Sequence, residues 1–188
     1  MGLSFNFSGY IRYNSREKGL VMIKKILILS DTHMPKKSKK LPEVLLKAIN
    51  GCDLIIHAGD WQTSELYHEL KKYAPVEGVY GNTDNDEMHT ILKEKILLEI
   101  NGFKIGVVHG HGKGKTTEKR SIEAFGGGKV DAIIFGHSHI PVNKLHNGVI
   151  LFNPGSPTDK RRQPNYSFGT LEIADELIFN HVFFDSKE

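Results

Sequence analysis

The chain has 188 residues, 39% hydrophobic and 25% charged, which fits one soluble globular domain. Its 25 basic and 22 acidic residues leave a net charge of +3, too mild a balance to point to nucleic acid or an anionic membrane as partner. The single cysteine, Cys52, excludes an internal disulfide and a cysteine-based zinc site and fits a reducing cytoplasm, and no apolar run approaches the roughly 18–20 residues of a membrane span.

Residues 1–21 are rich in Gly, Ser and Asn with scattered aromatics, and they lack the apolar core of a secretory signal. Position 6 is Asn6, so Met1-Gly2 does not begin a myristoylation motif. Met22 is followed at once by a strand-like run. We therefore expect residues 1–21 to be an extension outside the native chain and residues 22–188 to form the domain.

Ile23 to Ser30 is an almost unbroken aliphatic run after its lysines and predicts a buried strand. It ends in Ser30-Asp31-Thr32-His33. A basic loop follows, with Lys36, Lys37, Lys39 and Lys40, a solvated surface that can also attract an anion. Pro42 to Asn50 predicts a helix stopped at Gly51, with Val44, Leu45, Ala48 and Ile49 on its apolar face. Asp53 to Ala58 predicts a second buried strand, ending in Gly59-Asp60. Thr63 is placed to cap a helix to Tyr73, and Val76 to Tyr80 predicts a third strand, ending in Gly81-Asn82-Thr83-Asp84.

Asn101-Gly102 between Lys95–Ile100 and Phe103–Val108 signals a hairpin. Its second strand ends in His109-Gly110-His111. Gly112-Lys113-Gly114-Lys115 lacks the spacing of a P-loop, and no organic-cofactor motif occurs elsewhere. Thr116 or Thr117 is placed to cap a helix to about Phe125. Val130 to Phe135 then leads into Gly136-His137-Ser138-His139. A second hairpin turns at Asn147-Gly148 and ends at Asn153-Pro154-Gly155-Ser156. Ser167–Ile173 and Leu177–Phe184 form a last strand pair. Strand and helix alternate early and hairpins dominate later, which predicts an α/β or α+β sandwich with mixed sheets.

Five of these strands end in a polar motif with glycine in it or nearby: Asp31/His33, Asp60, Asn82, His109 and His137/His139. In α/β folds the strand carboxyl ends gather at one edge, where ligands bind. In an extended chain residues two apart point the same way, so His137 and His139 are expected to face one object. Seven oxygen and nitrogen donors exceed what one open metal site uses and suit two ions roughly 3.5–4 Å apart, the arrangement for displacement at phosphorus. Imidazole with carboxylate favours manganese, iron, zinc, cobalt or nickel over calcium or magnesium. His57 lies inside a predicted strand and reads as structural, and Asp84 as a residue ordering its own turn.

Asp31-x-His33, Gly59-Asp60, Gly81-Asn82, His109 and Gly136-His137-x-His139, in that order, resemble the calcineurin-like metallophosphoesterases. The resemblance spans about residues 22–188. With Gly81-Asn82-Thr83-Asp84, His109-Gly110-His111 and Asn153-Pro154-Gly155-Ser156, the chain looks like the small bacterial and archaeal phosphodiesterase group, to which the eukaryotic retromer scaffold subunit is related. The resemblance implies a four-layer α/β/β/α sandwich with two mixed sheets. It implies that Asp31, His33 and His139 hold one ion, that Asn82, His109 and His137 hold the other, and that Asp60 bridges them. Manganese is the implied working metal.

By the same resemblance the chain is a phosphodiesterase that attacks phosphorus in line with a hydroxide bridging the ions, with Asp60 and Asn82 in the catalytic set. Many family members carry His directly after the motif Asn as proton donor. Here that residue is Thr83, a poor acid, and His111 and Asp84 are the candidate replacements, with Asp84 read first as a turn residue. A small phosphate ester is the implied substrate, and a homodimer or tetramer the implied assembly. The competing expectation is a protein-binding scaffold, or a metal-binding regulatory module, on the same fold.

Overall fold

The computed structural model describes residues 4–6, 10–13, 25–126 and 129–187. The expected start at Met22, with Ile23 and Lys24 of the first predicted strand, lies outside the described residues. In chain order the elements are β1 (Ser4–Asn6), β2 (Tyr10–Tyr13), β3 (Lys25–Leu29), α1 (Glu43–Ile49), β4 (Leu54–His57), α2 (Ser64–Leu70), β5 (Val76–Gly78) and α3 (Asp86–Ile91). Then come β6 (Lys95–Ile100), β7 (Phe103–Val108), α4 (Thr117–Ala124), β8 (Ala132–Phe135), β9 (Val142–His146), β10 (Val149–Asn153), β11 (Tyr166–Ile173) and β12 (Leu177–Phe184).

Two sheets result. One has five strands in the order β12-β11-β3-β4-β5, with β3, β4 and β5 parallel. The other has seven, in the order β1-β2-β6-β7-β8-β10-β9. In it β7, β8 and β10 run parallel, and Tyr10–Tyr13 lies parallel to β6. At each predicted hairpin turn the two central residues take left-handed backbone: Asn101 and Gly102 at φ 51 and 93, Asn147 and Gly148 at φ 49 and 82. Asn and Gly accept that region most easily, and its twist matches the flanking strands.

Alternation along the strands sets the layers. Ile26, Ile28, Leu54 and Ile56 point from the five-stranded sheet into a core shared with Leu98, Ile105, Val107, Ile134 and Phe152 of the other. The intervening residues Leu27, Leu29 and Ile55 point outward and pack under Leu45 and Ile49 of α1 and Leu66 and Leu70 of α2. On the far side Val108, Ile133, Phe135 and Leu151 pack under Ile122, Ala124 and Phe125. The central strands β3, β4 and β8 are thus buried on two faces, which is why they read as continuous apolar runs. The architecture is the four-layer α/β/β/α sandwich.

Local details differ from the sequence expectation. Ser4–Asn6 and Tyr10–Tyr13, from the stretch expected to lie outside the domain, add two strands to the seven-stranded sheet beside β6. Thr63 sits at the cap of α2, but its hydroxyl bonds to the Met34 carbonyl at 3.5 Å and caps no backbone N–H of the helix. Val44 of α1 is 38% exposed, because the face of this two-turn helix is fixed by Leu45 and Ile49. The short helix α3 lies after the third strand, where no helix was expected; Asn85 caps it through Met88 N. Six residues carry too little periodicity to announce themselves.

Packing between the sheets is tight at Phe152, whose ring lies against Gly169: a Cβ there would come within 2.4 Å of it. Gly169→Ala is expected to destabilise the fold by about 1–3 kcal/mol through overpacking. Urea unfolding should show a lower midpoint with unchanged slope.

Candidate metal centre

The parallel strands place the polar motifs on one edge. β3, β4 and β5 deliver Asp31, Asp60 and Asn82 from one sheet, and β7 and β8 deliver His109 and His137 from the other. Two groups form. Ligand-capable atoms of Asp31, His33 and His139 lie within 4.8 Å of one another, and so do those of Asp60, His109 and His137. Asp60 Oδ2 stands between the groups, 3.3 Å from His109 Nε2 and 3.7 Å from His33 Nε2.

The backbone turns sharply to bring them there. Asp31, His33, Asp60, His137 and His139 all take left-handed φ, between 45 and 65. Each such residue costs of order 1–2 kcal/mol when it is not glycine. This corrects the expectation that His137 and His139 extend together toward one object. Left-handed turns at both positions send His137 to one group and His139 to the other.

Hydrogen bonds lock the turns. Asp31 N donates to Gly59 O and His33 N to Asp60 O, both at 2.9 Å. His137 N donates to Asp31 Oδ1 and Oδ2 at 3.1 and 2.9 Å, and Ser30 Oγ donates to Oδ2 at 2.7 Å. Gly136 leaves the room for this approach, since a Cβ there would lie 1.8 Å from Ser30 Oγ. Asn153 Nδ2 donates to Gly136 O and Ser138 Oγ at 2.9 and 3.1 Å. Ser156 Oγ donates to Asp31 O at 2.8 Å. Asn153 and Ser156 are thus clamps on the centre. The sequence marked their Asn-Pro-Gly-Ser turn only as a turn, and Ser30 passed unnoticed beside Asp31.

The imidazoles are oriented from behind. His109 Nδ1 donates to Ala58 O at 2.7 Å and His139 Nδ1 to Asp159 O at 2.5 Å, which frees each Nε2 lone pair for the centre. His33 Nδ1 meets Thr83 Oγ1 at 3.2 Å. The Nε2 atoms of His33 and His139 stand 3.3 Å apart, His109 Nε2 meets the Asp60 carboxylate at 3.3 Å, and buried His137 Nδ1 has no hydrogen-bond partner. Imidazole nitrogens converging on buried carboxylates, one of them unpartnered, form a site for a cation. Asp, His and Asp with more His is a donor set that fits borderline divalent ions.

Titration follows the same geometry. Burial pushes Asp31 up to about 7, against the pull of His109 and the Ser30 hydroxyl. Burial also lowers His137 and His139 to about 4, leaving both neutral at pH 7. For His109 burial is outweighed by its contact with Asp60 and the charge of Asp31, and its pKa rises. Burial works to raise Asp60, but His109 and the Thr83 amide hold it below the usual carboxylate range.

Other predicted residues are placed as follows. Asn82 is exposed, between Gly81, where a Cβ would meet Asp60 Oδ1 at 2.2 Å, and Thr83, whose N donates to that oxygen at 3.0 Å. His111 is half-buried beside His109 and His137, at ring distances of 5.5 and 6.4 Å, with Nδ1 buried and unpartnered. Asp84 accepts from Gln62 N and Gly81 N at 2.6 and 2.8 Å, so it orders both loops. His57 is fully buried, stacked on Trp61 at 3.6 Å. Its Nδ1 accepts from Gly59 N, and its Nε2 donates to Thr32 Oγ1 at 3.0 Å. It is structural, as the sequence implied.

The profile of the calcineurin-like phosphoesterase superfamily domain matches residues 25–176. The chain belongs to that superfamily. A probable metallophosphoesterase from Methanothermobacter thermautotrophicus is 36% identical over 136 residues, covering 71% of this chain and 77% of the relative. A phosphodiesterase from Methanocaldococcus jannaschii is 28% identical over 148 residues, 70% and 82% of the two chains. Among solved structures, wild-type Vps29 from Entamoeba histolytica, complexed with zinc, superposes with a TM-score of 0.66 at 27% identity, over 85% of this chain and 98% of that one. This is therefore a calcineurin-like phosphoesterase domain of the metallophosphoesterase type, and members of that type bind divalent metals. Among the described residues no helix is long and apolar enough to cross a membrane.

In the metal-free phosphoesterase Asp31 must give up its proton before a cation can sit among Asp31, His33 and His139. Metal uptake is therefore expected to weaken as pH falls below about 7, where Asp31 is protonated. Calorimetric titration of Mn²⁺ in two buffers of different ionisation enthalpy should show proton release at pH 6 that fades by pH 8. Uptake without proton release at pH 6 would contradict the assignment of Asp31.

Proposed function

We propose that this phosphoesterase is a metal-dependent phosphodiesterase with a dinuclear centre. The observation that carries the reading is the position of Asp60 Oδ2 between two complete donor groups. Asp31, His33 and His139 are assigned to one ion, His109, His137 and Asn82 to the other, and Asp60 to both. Divalent ions bound there would supply a hydroxide nucleophile near neutral pH and positive charge facing phosphorus, with manganese the working metal of this proposal. The domain is assigned to residues 22–188, the compartment to the cytoplasm and the assembly to a homo-oligomer, on the sequence reading alone.

The chain's own groups do the remaining work. Asn82, exposed at the strand end, is free to donate from its amide to a phosphoryl oxygen. His111 faces the His109 and His137 side, where a departing alkoxide would stand. Burial and the charge of His109 lower its pKa, so at neutral pH it is a neutral imidazole, a hydrogen-bond donor and a weak acid. Thr83 is engaged with His33 and is no acid either. The centre therefore stabilises charge well and protonates a leaving group poorly.

Two tests follow. Metal-stripped protein should hydrolyse bis(p-nitrophenyl) phosphate only after Mn²⁺ is added back, and Asp60→Asn should abolish that turnover; activity retained by Asp60→Asn would refute the shared role. Aryl diesters should also be favoured over alkyl diesters by about 10²–10⁴-fold, the usual contribution of a general acid. Equal rates on matched p-nitrophenyl and methyl diesters would contradict the weak-acid reading of His111.

The likeness to Vps29 supports a second reading, a non-catalytic scaffold or regulatory metal-binding module. It predicts metal uptake without turnover in the same assay. The presence of all seven candidate ligands favours the enzyme over a metal-free scaffold, which could lose them freely, and the turnover assay separates the enzyme from a metal-binding module.

A further inference from the structure

A cleft of about 620 Å³ opens beside the Asp31, His33 and His139 group, with His33 as its inner wall. Lys36, Lys37 and Arg161 line it against a single carboxylate, Asp159. Lys37 pairs with Asp159 at 3.3 Å. Among the described residues neither Lys36 nor Arg161 has an ion-pair partner. Arg161 also holds left-handed backbone at φ 49, a conformation that fixes where its side chain leaves the loop. Gln62, on the same wall as Thr83, has its side-chain oxygen buried without a partner. Either way round, that amide offers a ligand a hydrogen-bonding group.

The cleft is built and held. Lys187 Nζ donates to Lys37 O at 2.6 Å and to Thr158 O at 3.2 Å, so it ties together the two loops that carry the cations. Thr158 Oγ1 donates to Thr32 O at 2.5 Å, between Asp31 and His33. The backbone of both cation-bearing loops is thus fixed relative to the centre.

We propose that this cleft is a second anion subsite, and that the natural substrate is a phosphodiester bearing a further phosphomonoester on the arm that does not leave. The inference rests on the phosphodiesterase reading and deepens it. A diester phosphate carries one negative charge, which the centre meets. His111 stands on the other side, so the two arms of a bound diester run in opposite directions, one toward His111 and one into the cleft. Two unpaired cations there match a dianionic terminal phosphate, and a guanidinium can grip it with two parallel N–H donors.

The test uses the manganese-loaded full chain and two substrates that differ by one group: thymidine 3′-(p-nitrophenyl phosphate) with and without a 5′-phosphate. Scissile bond and leaving group are the same. The phosphorylated substrate is expected to have at least about tenfold higher kcat/KM, mostly through KM, as one or two charge-assisted hydrogen bonds would give. The double variant Lys36→Ala/Arg161→Ala should bring the two substrates to equal kcat/KM; both side chains are exposed, so its fold is retained. Calorimetry should show thymidine 3′,5′-bisphosphate binding tighter than the 3′-phosphate in wild type, and equally in the double variant. Equal kcat/KM for the pair in wild type, or a preference that survives the double substitution, overturns the subsite. If neither substrate is hydrolysed the diesterase reading falls, and the calorimetric comparison still decides whether the cleft recognises the added phosphate.

Discussion

One buried carboxylate joins the two sheets at the working edge. Asp31 belongs to the end of β3, while the amide it accepts belongs to His137, at the end of β8 in the opposite sheet. The apolar core between the sheets sets their separation but is indifferent to small slides, because dispersion and burial are not directional. The Asp31–His137 contact is directional. Together with Ser156 at the Asp31 carbonyl, it registers one set of strand ends against the other, while Asn153 at the Gly136 carbonyl ties β10 to the end of β8 within the second sheet. The donor groups inherit their spacing from that registration.

Cations stand on both sides of the edge. On one side are the neutral imidazoles of His137 and His111, with the Arg120 charge near both. On the other stand Lys36, Lys37 and Arg161. Buried carboxylates lie between, one pushed up to about 7 by desolvation and the other held ionised by its histidine neighbour. Such a pair, whose pKa values are driven apart by environment, is incomplete without added positive charge.

Much of this was legible in the sequence because the signals are local. Buried-strand runs, the Asn-Gly hairpins and the polar motifs at strand ends each depend on a few neighbouring residues. The four layers are implicit in strands too apolar for a sheet with one wet face. What the sequence hid depends on contacts between distant segments. Ser156 reaches Asp31 across 125 positions, and Lys187 reaches Lys37 across 150. The separation of His137 from His139 was hidden differently. It turns on the sign of φ at two residues whose chemistry argues against that sign, so extended geometry was the natural reading. The order of the family's motifs carried the division that local geometry missed.

That sign has a consequence for how the chain drifts under mutation. Five donor residues occupy backbone that glycine would adopt without strain. Replacing any of them by glycine would relax the turn and remove a desolvated polar group at once. Selection for folding alone would therefore favour glycine where the side chain holds no contact of the fold, as at His137, but not at Asp31, which registers the sheets. The centre is a local maximum of conformational energy set into an otherwise relaxed sandwich, and only selection acting on what those side chains hold keeps it there.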